Sequence, residues 1–175
     1  MRRITVYPLL VAGTMVMGGL IGATSASAAT NCVVSTGVTQ TTTTVTGTNG
    51  NDTIDCGGAE PGKTINGNDG NDTITGTSFN DTINGGAGND TITGGPGDDT
   101  LTGSAGNDRL SGGLGTDTLT GSEGADNLSG GDGNDTLTGA ANDGSRDVLN
   151  GNRGTDTCSV VGSDPDRRTS CERVG

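Results

Sequence analysis

The sequence predicts an all-β protein built as a solenoid of short stacked strands, and three observations carry that prediction. A nine-residue pattern repeats through the middle of the chain, all but one copy places an aliphatic residue at the same position, and all but one has an aspartate two residues before that position, behind a glycine-rich stretch. From Gly67 to Thr138 the chain divides without remainder into eight nonamers: GNDGNDTIT, GTSFNDTIN, GGAGNDTIT, GGPGDDTLT, GSAGNDRLS, GGLGTDTLT, GSEGADNLS and GGDGNDTLT. Further units start at Gly47 (GTNGNDTID) and Gly151 (GNRGTDTCS), while residues 56–66 are a degraded copy and 139–150 a copy with three extra residues. A period of this kind marks an array whose units bury their apolar side only against their neighbours.

The strand comes from positions 7 to 9 of the unit, where the middle residue is Ile54, Ile65, Ile74, Ile83, Ile92, Leu101, Leu110, Leu119, Leu128, Leu137 and Leu149 in successive copies, with Cys158 in the last. In a strand the middle side chain points one way and its neighbours the other, so the aliphatic faces inward and positions 7 and 9 face out. Units of alternate parity then form two sheets whose aliphatic columns meet. The turn comes from positions 1 to 6, where glycine at positions 1 and 4 accepts positive φ and lets backbone carbonyls converge. Position 6 is Asp52, Asp72, Asp81, Asp90, Asp99, Asp108, Asp117, Asp126, Asp135, Asp147 and Asp156, broken only by Lys63 in the degraded copy. A column of hard carboxylate oxygens suits calcium and does not by itself suit zinc or copper.

These units resemble the RTX, or hemolysin-type, calcium-binding nonapeptide GGxGxDxUx, in which U is a large aliphatic residue; the likeness runs over residues 47–159. The resemblance implies a right-handed parallel β-roll, with a six-residue turn and a three-residue strand per nonamer, two nonamers per coil, and Ca2+ between stacked turns. The expected metal-site residues are the eleven aspartates together with turn glycines Gly67, Gly70, Gly85, Gly88, Gly94, Gly97, Gly103, Gly106, Gly112, Gly115, Gly121, Gly124, Gly130 and Gly133. Lys63, the insertion in 139–150, and Phe79 at a position-4 glycine each weaken a turn, which leaves about six to eight calcium sites on the carboxylate requirement. Phe79 is alternatively expected to cap an end turn. Without calcium the repeats are expected to be disordered, because stacked aspartates repel and the hydrophobic content is too low to offset chain entropy.

Composition agrees. Glycine occupies 35 of 175 positions, the aromatics are Tyr7 and Phe79, there is no histidine, and 21 acidic against 9 basic residues give a net charge of −12. No conventional core fits these counts. The missing histidine excludes His-based acid–base and nucleophile chemistry, and the acidity argues against nucleic acid. Paired carboxylates such as Asp98-Asp99 belong to ion cages rather than to a glycosidase cleft, and the G-x-G steps precede no amphipathic helix. Six Asn-x-Ser/Thr sequons, at Asn51, Asn71, Asn80, Asn89, Asn127 and Asn134, are mostly the repeat's own NDT. The chain reads as a non-enzyme.

At the N-terminus, Arg2-Arg3, an apolar run from about Leu9 to Ala23 and Ala26-Ser27-Ala28 give a secretory signal layout over 1–28. The run is too short and glycine-rich to span a membrane, so no stable membrane insertion is expected after cleavage. Cleavage removes two arginines and moves the net charge from −12 to −14. Cys32, Cys56, Cys158 and Cys171 then form an even set in an oxidising compartment, with three possible pairings. Their grouping at the two ends makes Cys32–Cys56 with Cys158–Cys171 the economical choice. Residues 29–46 read as an N-terminal lead-in or cap, 47–159 as the roll, and 160–175 as a C-terminal cap.

The expected function is a secreted calcium-binding protein without catalysis. The alternative is an extracellular adhesion or matrix module that binds a polysaccharide, a cell surface or ice. Thr82, Thr100/Thr102, Thr118/Thr120, Thr136/Thr138 and Thr157 would form a flat outward Thr-x-Thr face for such a ligand, whereas the other face is interrupted by Arg109, Asn127 and Val148. Many proteins of the family join the repeats to a toxin, protease or lipase and leave through a type I exporter. The N-terminal signal layout and the absence of room for a catalytic domain set this chain apart from them.

Overall fold

The computed structural model describes residues 31–141, 143–161 and 166–174; the expected signal segment lies outside the described residues. Successive strands alternate between two sheets, except that the second and third share one. The first holds, in spatial order, β1 (Val33–Val34), β4 (Thr53–Asp55), β6 (Thr73–Thr75), β8 (Thr91–Pro96), β10 (Arg109–Leu114), β12 (Asn127–Asp132), β14 (Val148–Arg153) and β16 (Arg167–Thr169). The second holds β2 (Thr39–Gln40), β3 (Thr44–Thr46), β5 (Thr64–Asp69), β7 (Thr82–Ala87), β9 (Thr100–Ala105), β11 (Thr118–Glu123), β13 (Thr136–Ala141), β15 (Thr157–Val161) and β17 (Arg173–Val174). The described residues contain strands and no helix. The protein is an all-β parallel β-solenoid, as its period predicts.

Register is set by two units at a time. Leu110 pairs with Leu128 and Leu119 with Leu137, so each residue sits beside its equivalent eighteen positions on. Because side chains alternate, a slip of one residue would expose the whole aliphatic column, and burial of that column therefore pins the pairing. The column is almost fully enclosed: Leu101, Leu119, Leu128, Leu137 and Leu149 are 0% exposed, with Val45 and Cys158 completing it at the two ends.

Most strands are longer than the three residues that the family resemblance implies. In β5 and β7 to β14 pairing continues through positions 1 to 3, as in Gly113 opposite Gly131 and Leu114 opposite Asp132. The chain bends inside these strands at position 2, where Gly113 has φ 129° and Ser104 φ 85°. The coil thus turns without breaking its hydrogen-bond ladder, which leaves fewer backbone groups unpaired than a free six-residue loop would.

The ends differ from each other. At the start β1 runs antiparallel to β4, and β2 antiparallel to β3, so both sheets open with a reversed strand. The Cys32–Cys56 disulfide and Gln40, which accepts from the Cys32 N–H and donates to its carbonyl, fix this cap in place. At the other end β16 and β17 pair in parallel with β14 and β15, and Cys158 is bonded to Cys171. The C-terminal segment, expected only as a cap, continues the coil. Phe79 lies in the turn ahead of β7, inside the stack and half-exposed, and does not cover an end.

Outward rows also follow register. Thr44, Thr64, Thr82, Thr100, Thr118, Thr136 and Thr157 stand side by side across the second sheet. On the first sheet the matching row reads Thr53, Thr73, Thr91, Arg109, Asn127, Val148 and Arg167.

Candidate metal centre

Each turn returns its aspartate to the interior. All eleven aspartates of the column are at most 4% exposed, an unusual place for a carboxylate without a partner. One oxygen is accounted for within the protein. The Asp72 N–H donates to Asp90 Oδ1, the Asp90 N–H to Asp108 Oδ1, and the Asp108 N–H to Asp126 Oδ1, each at 2.8 Å. The other stack repeats this from Asp81 through Asp99, Asp117 and Asp135 to Asp156. Every coil is therefore tied to the next by a charge-assisted bond from backbone to side chain.

The second oxygen is not satisfied. Oδ2 of Asp72, Asp90, Asp99, Asp108, Asp117, Asp126, Asp135 and Asp156 is buried with no hydrogen-bond donor. Leaving a buried charged acceptor unpaired costs on the order of 1–3 kcal/mol or more per group, and here the omission is systematic. The surroundings are consistent with it: a Cβ placed on Gly85 would meet Asp90 Oδ2 and the Gly103 carbonyl oxygen, and one on Gly112 would meet Asp117 Oδ2 and the Gly130 carbonyl oxygen. At Gly67, Gly85, Gly94, Gly103, Gly112, Gly130 and Gly151 the missing methyl is bounded by a carboxylate oxygen of the same unit and a carbonyl oxygen of the next coil.

Glycines at the two turn positions serve different ends. At position 1, Gly67, Gly85, Gly94, Gly103, Gly112, Gly121 and Gly130 each lie against the Oδ2 of their own unit's aspartate, and none has positive φ. Their requirement is room: the close approach of carbonyls expected of them is present, and the positive φ expected with it is not. At position 4, Gly70, Gly88, Gly97, Gly106, Gly115, Gly124 and Gly133 all have φ between 116° and 151°, and a Cβ there would strike backbone of the preceding coil. These require both the conformation and the close approach.

Burial pushes seven of the orphaned carboxyls up, and for all of these but Asp108 neighbouring carboxylates add to the rise. Asp99 and Asp117 are raised to about 6 and Asp126 to about 7; Asp72, Asp90, Asp108 and Asp135 move in the same direction. Asp52 behaves differently. Burial raises it, but the Thr48 N–H and the Ser35 and Thr48 hydroxyls more than compensate and hold it below its ordinary value. At Asp81, too, Oδ2 accepts the Thr77 N–H at 2.6 Å and the Thr77 hydroxyl at 3.0 Å. Asp147 shares the ladder through the Asp126 N–H and is not among the orphaned carboxyls.

No three His, Cys, Asp or Glu side chains converge among the described residues. A cation in this stack would meet one carboxylate per turn, and its other protein donors would be backbone carbonyls. That all-oxygen donor set matches a hard divalent ion such as calcium.

Three features were not anticipated from the sequence. Asp166 Oδ1 accepts the Asp147 N–H, and Glu172 Oε2 accepts the Asp156 N–H, so both occupy the aspartate slot of a final coil. The signal was present in Asp166-Arg167-Arg168-Thr169, where Arg168 takes the aliphatic slot and hides the repeat. The third is a parallel ladder at position 5: Asn71 Oδ1 accepts the Asn89 N–H and Asn89 Oδ1 the Asn107 N–H, each at 2.7 Å. Several of the sequon asparagines are therefore coil-to-coil ties.

Comparison with protein families gives a match to the RTX calcium-binding nonapeptide repeat (4 copies) at residues 40–58, 66–101, 75–110, 84–119, 111–145 and 120–158. No curated protein and no solved structure is similar enough to match.

Proposed function

The chain belongs to the RTX calcium-binding nonapeptide repeat family, and from that premise we propose that it is a secreted, non-catalytic protein whose roll assembles around Ca2+ held between stacked turns. The observation that carries this reading is the set of eight buried, unpartnered Oδ2 atoms, each beside a position-1 glycine. Calcium bound there supplies the positive charge that these oxygens lack. The chain's own contribution is to hold each carboxylate by its Oδ1, to exclude water by burial, and to keep position 1 free of a Cβ beside Oδ2. The turn glycines and the eleven-aspartate column proposed as ligands reduce on this reading to eight strong positions. The secretory layout at 1–28 and the two disulfides favour an extracellular setting, where calcium is abundant.

Isothermal titration with calcium, alongside circular dichroism, tests this directly. About eight ions per chain should bind in the extracellular concentration range, with β-structure appearing in step, and magnesium should fail to replace them because it demands a tighter octahedral shell. Absence of binding at millimolar calcium would overturn the reading.

A second reading, that the protein also adheres to an ordered polymer or to ice, is favoured by one observation: seven threonines stand in unbroken register on the second sheet. Strand spacing of about 4.8 Å makes this row a regular lattice of hydroxyl and methyl groups. Threonine is also an ordinary strand residue, so the test must be ligand-specific. Thr118→Lys, in the middle of the row, should abolish ice shaping or retention on insoluble polysaccharide while leaving calcium binding unchanged. A calcium-loaded parent that shows neither activity removes this reading.

A further inference from the structure

The aspartate slots fall into two groups, and their order along the chain is not random. In one stack the slots run Asp52, then Asp72, Asp90, Asp108 and Asp126, then Asp147 and Asp166; in the other they run Lys63 and Asp81, then Asp99, Asp117, Asp135 and Asp156, then Glu172. The middle four slots in each stack are the orphaned ones. The slots before them are all satisfied from within the chain.

Position 2 of the unit separates the groups. In the eight orphaned units it is Asn68, Gly86, Gly95, Ser104, Gly113, Ser122, Gly131 or Asn152, and every one has φ between 69° and 129°. In the units of Asp52 and Asp81 it is Thr48 or Thr77, neither at positive φ, and each gives its N–H and its hydroxyl to the aspartate's Oδ2. A β-branched residue resists the left-handed region, so threonine keeps the turn in the form that aims its N–H at the carboxylate. Glycine at position 4 does not decide the matter, since Gly50 lies in the Thr48 turn and does not take positive φ there. Lys63 achieves the same result differently. It is 2% exposed, and its ammonium donates to the Thr42 and Glu60 carbonyl oxygens, placing a built-in cation where the slot has no carboxylate.

We propose that Thr48, Lys63 and Thr77 are internal substitutes for calcium, so that the first coils of both stacks form an ion-independent seed on which the eight ion-requiring turns are laid down. This rests on the calcium reading above and adds what that reading does not contain: which turns take no ion, and the direction in which the roll assembles. The Cys32–Cys56 disulfide and the Ser35 hydroxyl, which donates to Asp52 Oδ1 at 2.7 Å, close the same end. The N-terminal coils thus have their charged groups answered, their first strands capped and their chain cross-linked without a metal.

Two measurements on the full chain with both disulfides formed test the proposal. Amide exchange in chelator at neutral pH should show protection retained over Thr44–Asn66 and in the Thr77–Asp81 turn and lost over Thr91–Arg153, and calcium should restore the last region. In calcium titration, Thr48→Gly should bind one ion more than the parent, and so should Thr48→Ser, which keeps the hydroxyl but loses the β-branch, as at Ser104 and Ser122; Thr48→Val, which keeps the branch, should bind the parent's number. Uniform exchange along the chelated chain overturns the seed. Equal ion counts in Thr48→Gly and the parent overturn the role of position 2. If no variant binds calcium, the calcium reading itself fails, and the exchange contrast still decides whether the N-terminal coils fold alone.

Discussion

Chelating calcium at neutral pH should abolish most of the β-structure, and lowering the pH to about 4 in the same chelator should bring it back. The first half follows from the eight buried Oδ2 atoms, which without a counter-ion carry charge in an interior lined by more of the same charge. The second half follows from the direction of the carboxyl shifts. Asp99, Asp117 and Asp126 lie at about 6, 6 and 7 in the folded chain against 3.8 for the free side chain. A folded carboxyl raised above its unfolded value binds protons preferentially in the fold, so its contribution is fully present below the unfolded pKa and is lost as pH rises through the folded one. The metal-free roll should therefore melt between about pH 4 and pH 7, the window those values define. With calcium bound the carboxylates are held ionised and this dependence should reverse, acid now displacing the ion. Circular dichroism in chelator and in calcium across that range reads both arms. A metal-free chain equally unfolded at pH 4 and pH 7 would show that carboxylate charge is not what prevents folding.

Gly112→Ala should destabilise the roll through lost space alone. The new Cβ would lie 2.6 Å from the Gly130 carbonyl oxygen and closer still to Asp117 Oδ2, where contacts of about 3.4 Å are ordinary for carbon. Because Gly112 has no positive φ, the loss would come from space alone. Overpacking of this kind typically costs about 1–3 kcal/mol. Here it would also occupy the gap proposed for an ion, so the calcium count should fall by one and the calcium midpoint for folding should rise. Gly58→Ala, whose Cβ meets nothing within 4 Å, is the matched control and should leave both unchanged.

How much of this was legible in the sequence varies with the physical origin of each feature. The two sheets, the core column and the pairing of alternate units were readable because they depend on side-chain alternation and period, which are written directly in the order of residues. The disulfides were readable because each pair is local. The six-residue strands were not, because a bend at position 2 that keeps the ladder intact resembles a turn in sequence. Thr48 and Thr77 were overlooked for a subtler reason. Threonine at position 2 differs little in composition from the serine of Ser104 or Ser122, and only the backbone shows that one closes the carboxylate and the other leaves it open. Lys63 read as a defect because its partners, the Thr42 and Glu60 carbonyls, are backbone atoms, and Thr42 lies in a separate segment of the chain. Phe79 drew attention by its rarity, yet Thr77 in the same turn decides that turn's chemistry.

Although the letters repeat every nine residues, the structure repeats every eighteen, and this has a consequence for how such a gene grows and shrinks. Losing eighteen residues from the middle would rejoin like to like: each remaining strand would keep its sheet, its aliphatic neighbour and its aspartate stack. Losing nine would send every later strand to the opposite sheet, so that Arg109, Asn127 and Val148 would continue the threonine row and the two faces would exchange identities halfway along. Recombination between adjacent nonamers, the easiest slip for a replicating polymerase on so repetitive a template, is thus the one that scrambles the surface. Duplications that persist in a chain of this design should come in even numbers, with its two faces inherited as a pair.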